Sequence, residues 1–203
     1  MFLSHIKPGE LYDAHKYLAQ TSDILAHLLH EHQVGFVNRI INVLCLARDG
    51  GIPPAQTAAV STGNVQPTAN QNTLPKMPTL EEAERDLVRY VLFANEAAFP
   101  QGGIAGDAQY MKDFVRNKKP AKTGASLKDF DLHTRMFKNR CSYMIYTAQW
   151  QALPENVKTS IYTMMKAALS GHDPEFAYIP PAERGSIVAI MRDTVPDLPA
   201  DWR

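Results

Sequence analysis

Apolar residues recur at three- and four-residue spacing in most of this chain. From about Ser22 to Ala47 the repeat runs through Leu25, Leu28, Leu29, Phe36, Ile40, Val43 and Leu44. That spacing lines one face of an α-helix. Thr21, Ser22 and Asp23 supply N-cap chemistry ahead of it. Asp49-Gly50-Gly51 ends it and Pro53-Pro54 keeps it from resuming. A second helix is expected from Thr79, with Glu82 completing a capping box, to about Ala98. Its apolar side is Leu80, Leu87, Val88, Val91 and Phe93/Ala94. A loop of Pro100, Gly102, Gly103 and Gly106 follows, then a short helix through Tyr110, Met111, Phe114 and Val115.

Ser126 reads as the N-cap of the next helix, which carries Leu127, Phe130, Phe137, Cys141, Met144, Ile145 and Ala148 to about Ala152. A break is expected near Asn139. Pro154 then sits at a helix start, where its missing N–H costs nothing. Val157, Ile161, Met164, Met165, Ala168 and Leu169 carry that helix to Gly171, a C′ glycine. Pro180-Pro181 opens a last helix with Glu183 in its first turn and Ile187, Ile190 and Met191 inside. Pro196 and Pro199 end the regular structure. No segment alternates with period two, so little sheet is expected, and there is no internal repeat.

Two stretches depart from this pattern. Met1 to Gln20 has no clear period. Residues 50–79 are rich in Gly, Pro, Gln, Asn, Thr and Ala and hold few large apolar side chains. Such a segment buries too little surface to offset the entropy of ordering it. It reads as a flexible, low-complexity surface insert. A lid is the alternative, although aromatic and charged anchors are missing. The expected architecture is therefore all-α: an irregular bundle of five to six main helices, in a single domain over 1–203, with that insert.

Composition narrows the function classes. The 203 residues are 45% hydrophobic, enough for one substantial core. Lys+Arg and Asp+Glu are 21 each, so no net field draws in nucleic acid or an anionic membrane. The one basic cluster, Lys118, Lys119 and Lys122, lacks interleaved aromatics and reads as a solvated loop. No stretch reaches the roughly 20 apolar residues of a membrane span. Met1 to Glu10 has no apolar core of the secretory type, so no export signal is read in the chain. Cys45 and Cys141 are too few for a disulfide framework. Buried free thiols are the default, with one bridge open outside the cytoplasm.

Few polar residues fall where they need explaining. His27, His30 and Glu31 are helical neighbours whose side chains can converge on a metal ion, though no further ligand stands at a recognisable spacing. Their ordinary reading is a polar helix face. His32 falls on the same stripe as Leu25, Leu29 and Phe36, so it should point inward. A buried imidazole requires a partner. That partner is a backbone carbonyl or carboxylate if the residue is structural. It is a haem or metal ion, or a substrate proton, if the residue is functional.

The second concentration is Lys128 to Tyr146. Asp131 and Arg135 lie four apart and can pair. Arg140, near the expected break, needs a carboxylate partner if half buried, and Glu96 and Asp131 are the obvious choices. With Tyr143, these residues make a buried polar network, and a substrate-anion site on Arg140 is the alternative. Nucleophile elbow, phosphate-binding glycine loop, Cys-pair zinc motif and CxxCH haem-attachment motif are all missing from the sequence.

Several strings resemble a family when taken together. They are Ser22-Asp23-Ile24 with Glu31-His32-Gln33 and Asn38; Tyr90, Leu92-Phe93 and Glu96-Ala97; Ser126-Leu127, Asp129, Asp131-Leu132, Arg135, Arg140-Cys141-Ser142-Tyr143, Tyr146 and Leu153-Pro154; then Asp193-Thr194 and Leu198-Pro199. The pattern resembles the C-terminal half of a family of uncharacterised exported bacterial cytochrome c-like proteins. It covers most of the chain outside 50–79. The resemblance implies a periplasmic, haem-associated redox context, with the haem-attachment motif in an N-terminal half missing from this sequence. It matches at His32, whereas His27 and His30 stand where the family has apolar residues.

Three readings follow. The first is a non-enzymatic helical domain that belongs to, or docks on, a c-type cytochrome module. In it the chain holds no covalent haem of its own, its partner is the haem-bearing half or a redox partner, and His32 is either structural or a distal ligand. A chain of this kind is a fragment or one half of a split gene. The second is a metal-dependent or oxidoreductase enzyme whose pocket gathers His32, Glu96, Asp131 and Arg140. The third is a stand-alone interaction domain, marked by an exposed apolar patch.

Overall fold

The computed structural model describes residues 23–48 and 78–202. The expectations for Met1 to Gln20 and for the insert up to Met77 lie outside these residues. Six α-helices run through the described chain: α1 (Ile24–Arg48), α2 (Leu80–Val91), α3 (Ala108–Val115), α4 (Ala148–Gln151), α5 (Glu155–Ser170) and α6 (Pro181–Thr194). Short 3-10 turns occupy Tyr143–Tyr146, Pro174–Phe176 and Ala200–Trp202. No strand occurs among the described residues; one isolated antiparallel bridge joins Phe130 to Phe137. The all-α expectation holds.

Helix α1 buries Leu25, Leu29, His32, Phe36, Ile40, Val43 and Leu46, one face at helical spacing. That face lies chiefly on α2, and α2 in turn packs on α5. Asp23 begins α1 by accepting the Leu25 N–H at 2.9 Å. Its other oxygen takes the Asp107 N–H at 2.8 Å, so the start of α1 is tied to the start of α3. Helix α2 begins with the expected capping box. The Glu82 N–H donates to Thr79 Oγ1 at 3.2 Å and the Thr79 N–H donates to Glu82 Oε2 at 2.7 Å.

The centre of the core is aromatic. Phe36 from α1 meets Trp150 from α4 with centroids 6.2 Å apart. The Trp150 indole N–H donates to the Tyr162 hydroxyl of α5 at 3.0 Å, which satisfies the one polar group of a fully buried ring. Helix α5 ends at Gly171 with φ +83°, the left-handed residue that releases the chain. Helix α6 begins at Pro181 and buries Ile187, Ile190 and Met191, as the pattern predicts.

Two expected helices are corrected. Helix α2 stops at Val91, seven residues before Ala98. Phe93 (φ 57°) and Asn95 (φ 61°) turn the backbone into left-handed conformations there, which a continuing α-helix excludes. The helix expected from Ser126 to Ala152 does not form. Its apolar spacing is satisfied by a fold-back: Phe130 and Phe137 stack at 5.5 Å and 11°, while the Leu132 N–H donates to the Arg135 carbonyl at 2.8 Å and the Lys138 N–H to the Asp129 carbonyl at 2.9 Å. Leu132 itself has φ 62°. Ser126 still opens a turn, since its hydroxyl accepts the Lys128 N–H at 3.1 Å. In place of one helix with a break at Asn139 there is a loop, a 3-10 turn and the four-residue α4.

This loop is fastened to the one after α2. The Phe99 N–H donates to the Thr134 carbonyl at 3.1 Å and the Ile104 N–H to the Leu132 carbonyl at 2.9 Å. Gly103 (φ 76°) allows the approach, because a Cβ there would stand 2.2 Å from the Leu132 carbonyl oxygen.

Candidate functional site

The polar residues form two adjoining centres. The first surrounds His32. Its Nε2 lies 2.7 Å from the Ser142 hydroxyl, 110 residues away in sequence. The Ser142 oxygen also accepts the Met144 N–H at 3.1 Å. The imidazole also stacks on Phe93 (4.7 Å, 12°) and Tyr90 (5.2 Å, 8°). Beside it Gln33 donates to the Tyr143 hydroxyl at 2.9 Å. The Tyr90 hydroxyl donates to the His32 carbonyl at 3.1 Å, and Gly35 makes room for it, since a Cβ there would lie 2.2 Å from that hydroxyl.

Burial, reinforced by the Arg39 guanidinium nearby, lowers the His32 pKa to about 4. The ring is therefore neutral near pH 7. Burial likewise pushes the Tyr143 hydroxyl up to about 12. His32 points inward as its place on the stripe implies. Its partner is a hydroxyl, however, and neither a backbone carbonyl nor a carboxylate. Tyr143 belongs to this centre and not to an arginine network.

The second centre is ionic. Arg140 Nη1 donates to Glu183 Oε2 at 2.8 Å, Arg135 Nη2 reaches the same oxygen at 3.2 Å, and the Arg140 backbone N–H takes Glu183 Oε1 at 2.7 Å. Arg135 also donates from Nε to the Phe137 carbonyl at 2.9 Å and from Nη2 to the Lys138 carbonyl at 2.9 Å. The partner expected for Arg140, Glu96 or Asp131, is thus corrected to Glu183, delivered by the first turn of α6. Asp131 and Arg135 make no direct ion pair: Asp131 accepts the Thr134 hydroxyl at 2.5 Å, and Arg135 acts on it only as a more distant charge.

Glu96 stands between the two centres. One of its carboxylate oxygens accepts the Met136 N–H at 3.2 Å. Burial raises its pKa, while the Met136 N–H, Arg140 and Arg135 pull the other way. Two open clefts meet here. One, of about 550 Å³, is lined by Glu96, Arg135, Arg140, Thr134 and Tyr178 among others. The other, of about 460 Å³, is lined by His32, Asn38, Arg39, Tyr90 and Met136. They share Phe93, Asn95 and Glu96.

The enzyme reading called for His32, Glu96, Asp131 and Arg140 around one pocket. Glu96 and Arg140 share the first cleft and His32 and Glu96 the second, while Asp131 lines neither. His27, His30 and Glu31 are exposed on α1. Among the described residues no group of three or more His, Cys, Asp and Glu side chains is disposed to hold a metal ion. Cys45 and Cys141 are both free thiols, so the bridge left open between them is not made. Burial raises the Cys141 thiol well above its ordinary range.

Sequence reasoning missed Glu183, Tyr178 and Asn95 as site residues. Glu183 was visible as an acid in a proline-led first turn, but its partners lie more than forty positions earlier. Among the described residues no helix is long and apolar enough to cross a membrane. Compared with protein-family models, curated proteins and solved structures, the chain has no significant match.

Proposed function

We propose that this chain is a non-catalytic helical domain that belongs to, or docks on, a c-type cytochrome module of an exported, periplasmic redox protein. The haem context comes from the sequence resemblance. The observation that carries the non-catalytic part is the seclusion of the His32–Ser142 pair. A serine hydroxyl 2.7 Å from an imidazole is the geometry of an activated nucleophile. Here, though, Ser142 has 0% of its surface exposed and His32 6%. A substrate cannot reach that oxygen. The pair instead ties α1 to the segment before α4. The same seclusion speaks for a structural His32 over a distal haem ligand, since Nε2 is engaged and two aromatic rings lie against the imidazole. Any covalent haem would be held by the partner segment.

The test is to mix the purified chain with a holo-cytochrome half carrying the CxxCH attachment sequence, taken from a member of that family. Association is followed by calorimetry and the haem by its visible spectrum. Saturable association, with a Soret band that is the same for wild type and His32→Gln, is expected. Lack of association defeats the docking reading. A Soret shift that requires His32 defeats the structural assignment of that residue.

The second reading, an oxidoreductase or metal-dependent enzyme, is favoured by one observation. The two clefts join at Glu96, which brings His32, Glu96 and Arg140 to one continuous surface. Such a mechanism would have to run without Asp131.

A further inference from the structure

We propose that this chain pairs with a second copy of itself through the outer face of α1, the two helices antiparallel about a twofold axis between Val37 and Ile41. The pairing does not rest on the docking proposal, and either can fail alone.

The first support is the character of that face. Helix α1 buries one stripe in the core, yet Val34, Val37, Ile41 and Leu44 repeat at three- and four-residue spacing on another side. Val34 is 41% exposed and Ile41 53%, while Val37 and Leu44 are half-buried. This is the spacing of a helix–helix seam. Only Glu31, Arg39 and Arg48 carry formal charge on the 25-residue helix. Arg39 is turned toward α2, where its Nε lies 2.8 Å from Asp86 and its guanidinium 4.0 Å from the centre of the Tyr90 ring. The outer stripe between Glu31 and Arg48 therefore carries no charge, whereas a helix face that meets only water is ordinarily charged and polar.

The second support is self-complementarity, which a twofold contact requires. With the axis between Val37 and Ile41, Val37 of each copy meets Ile41 of the other, and Val34 meets Leu44. A hollow of about 380 Å³, lined by Leu44, Cys45, Ala47, Arg48 and Pro154, lies at that end of the stripe. The exposed Val34 of the second copy is the knob set over it. Charge selects the orientation. Antiparallel helices turn Glu31 toward the Arg48 end of the other copy. A parallel pair would stack Glu31 on Glu31 and Arg48 on Arg48, and like charges set face to face cost free energy. One helix face is small for an interface, so the dimer is reversible.

The experiment is sedimentation velocity of the whole chain over a rising concentration series. The mean mass is expected to climb from 22.6 kDa toward twice that value. Ile41→Glu and Val34→Glu change exposed positions that carry little of the fold. Each should weaken the dimer at least roughly 10-fold, the loss expected when a carboxylate replaces a buried apolar side chain. Glu31→Arg should weaken it several-fold, and Glu31→Arg combined with Arg48→Glu should restore it. Orientation is read from nitroxide labels in a Cys45→Ser background. Labels at Asn38→Cys are expected close together beside the axis, and labels at Ile24→Cys about 45 Å apart along the helices. A chain that stays monomeric, a dimer indifferent to Ile41→Glu, or labels equally close at both positions overturns the proposal. So does a monomer in which Ile41→Glu abolishes only association with the holo-cytochrome half, since the face then belongs to that partner.

Discussion

The His32 centre and the Glu183 centre do the same architectural job by opposite means. Each pins the irregular segment after Ser126 to a helix, the first to α1 and the second to α6. The His32 centre is neutral: an imidazole, three hydroxyls and an amide, with Ser142 wholly buried. The Glu183 centre is charged and stays partly solvated, its Arg135, Arg140 and Glu183 side chains 23%, 20% and 9% exposed. The difference follows from desolvation. A neutral group can be taken out of water for the cost of re-forming its hydrogen bonds, whereas an ion keeps a large penalty even when paired. The neutral centre can therefore bury Ser142 completely, and the ionic one remains at the mouth of a cleft.

The comparison is broken most sharply by Glu183→Ala, which strands two half-buried guanidiniums. A loss of about 3 kcal/mol in urea unfolding is expected. A loss below about 1 kcal/mol, the range of exposed pairs, would mean that this centre is surface decoration.

His32 and Glu96, the residue between the two centres, should answer acid with opposite sign. The folded His32 pKa, about 4, lies below its ordinary value, so the unfolded chain takes up the proton first. Its contribution is full above pH 6.5 and is lost as pH falls toward 4, roughly 3 kcal/mol in all. Glu96, raised by burial, contributes stability at low pH that is lost as pH rises through its folded value. Stability profiles of wild type, His32→Gln and Glu96→Gln separate the two. An acid limb that persists unchanged in His32→Gln removes the histidine's role.

The smallest of these effects is Ser142→Ala. It deprives Nε2 of its partner and the 3-10 turn of its cap, for a loss of about 1–2 kcal/mol. A neutral outcome would show that water enters and replaces the hydroxyl.

Much of the fold was legible. The stripe of α1, the Thr79–Glu82 box, the Gly171 stop and the Pro181 start are local signals, decided by a few adjacent residues. The segment from Ser126 was not legible. Apolar residues seven apart suit two turns of one helix face, and they suit two arms of a fold-back equally well. Phe130 and Phe137 chose the second because their rings stack there. The site was half legible for the same reason. His32 was visible from its place among Leu25, Leu29 and Phe36, and Arg140 from its need for a carboxylate. Ser142 and Glu183 became their partners through contacts across 110 and 43 positions, which periodicity does not encode.

The sequence by itself therefore determined the class of the protein, the starts of α1, α2 and α6 and the Gly171 stop, and which polar residues had to be answered. Helical period and capping act within a turn or two, so they survive without knowledge of the rest of the chain. The tertiary structure alone decided what answered those residues. Only the packing of α1, α2 and α6 around the fold-back brings one arginine pair to a shared carboxylate, and sets the histidine against a buried serine at the wall of a cleft.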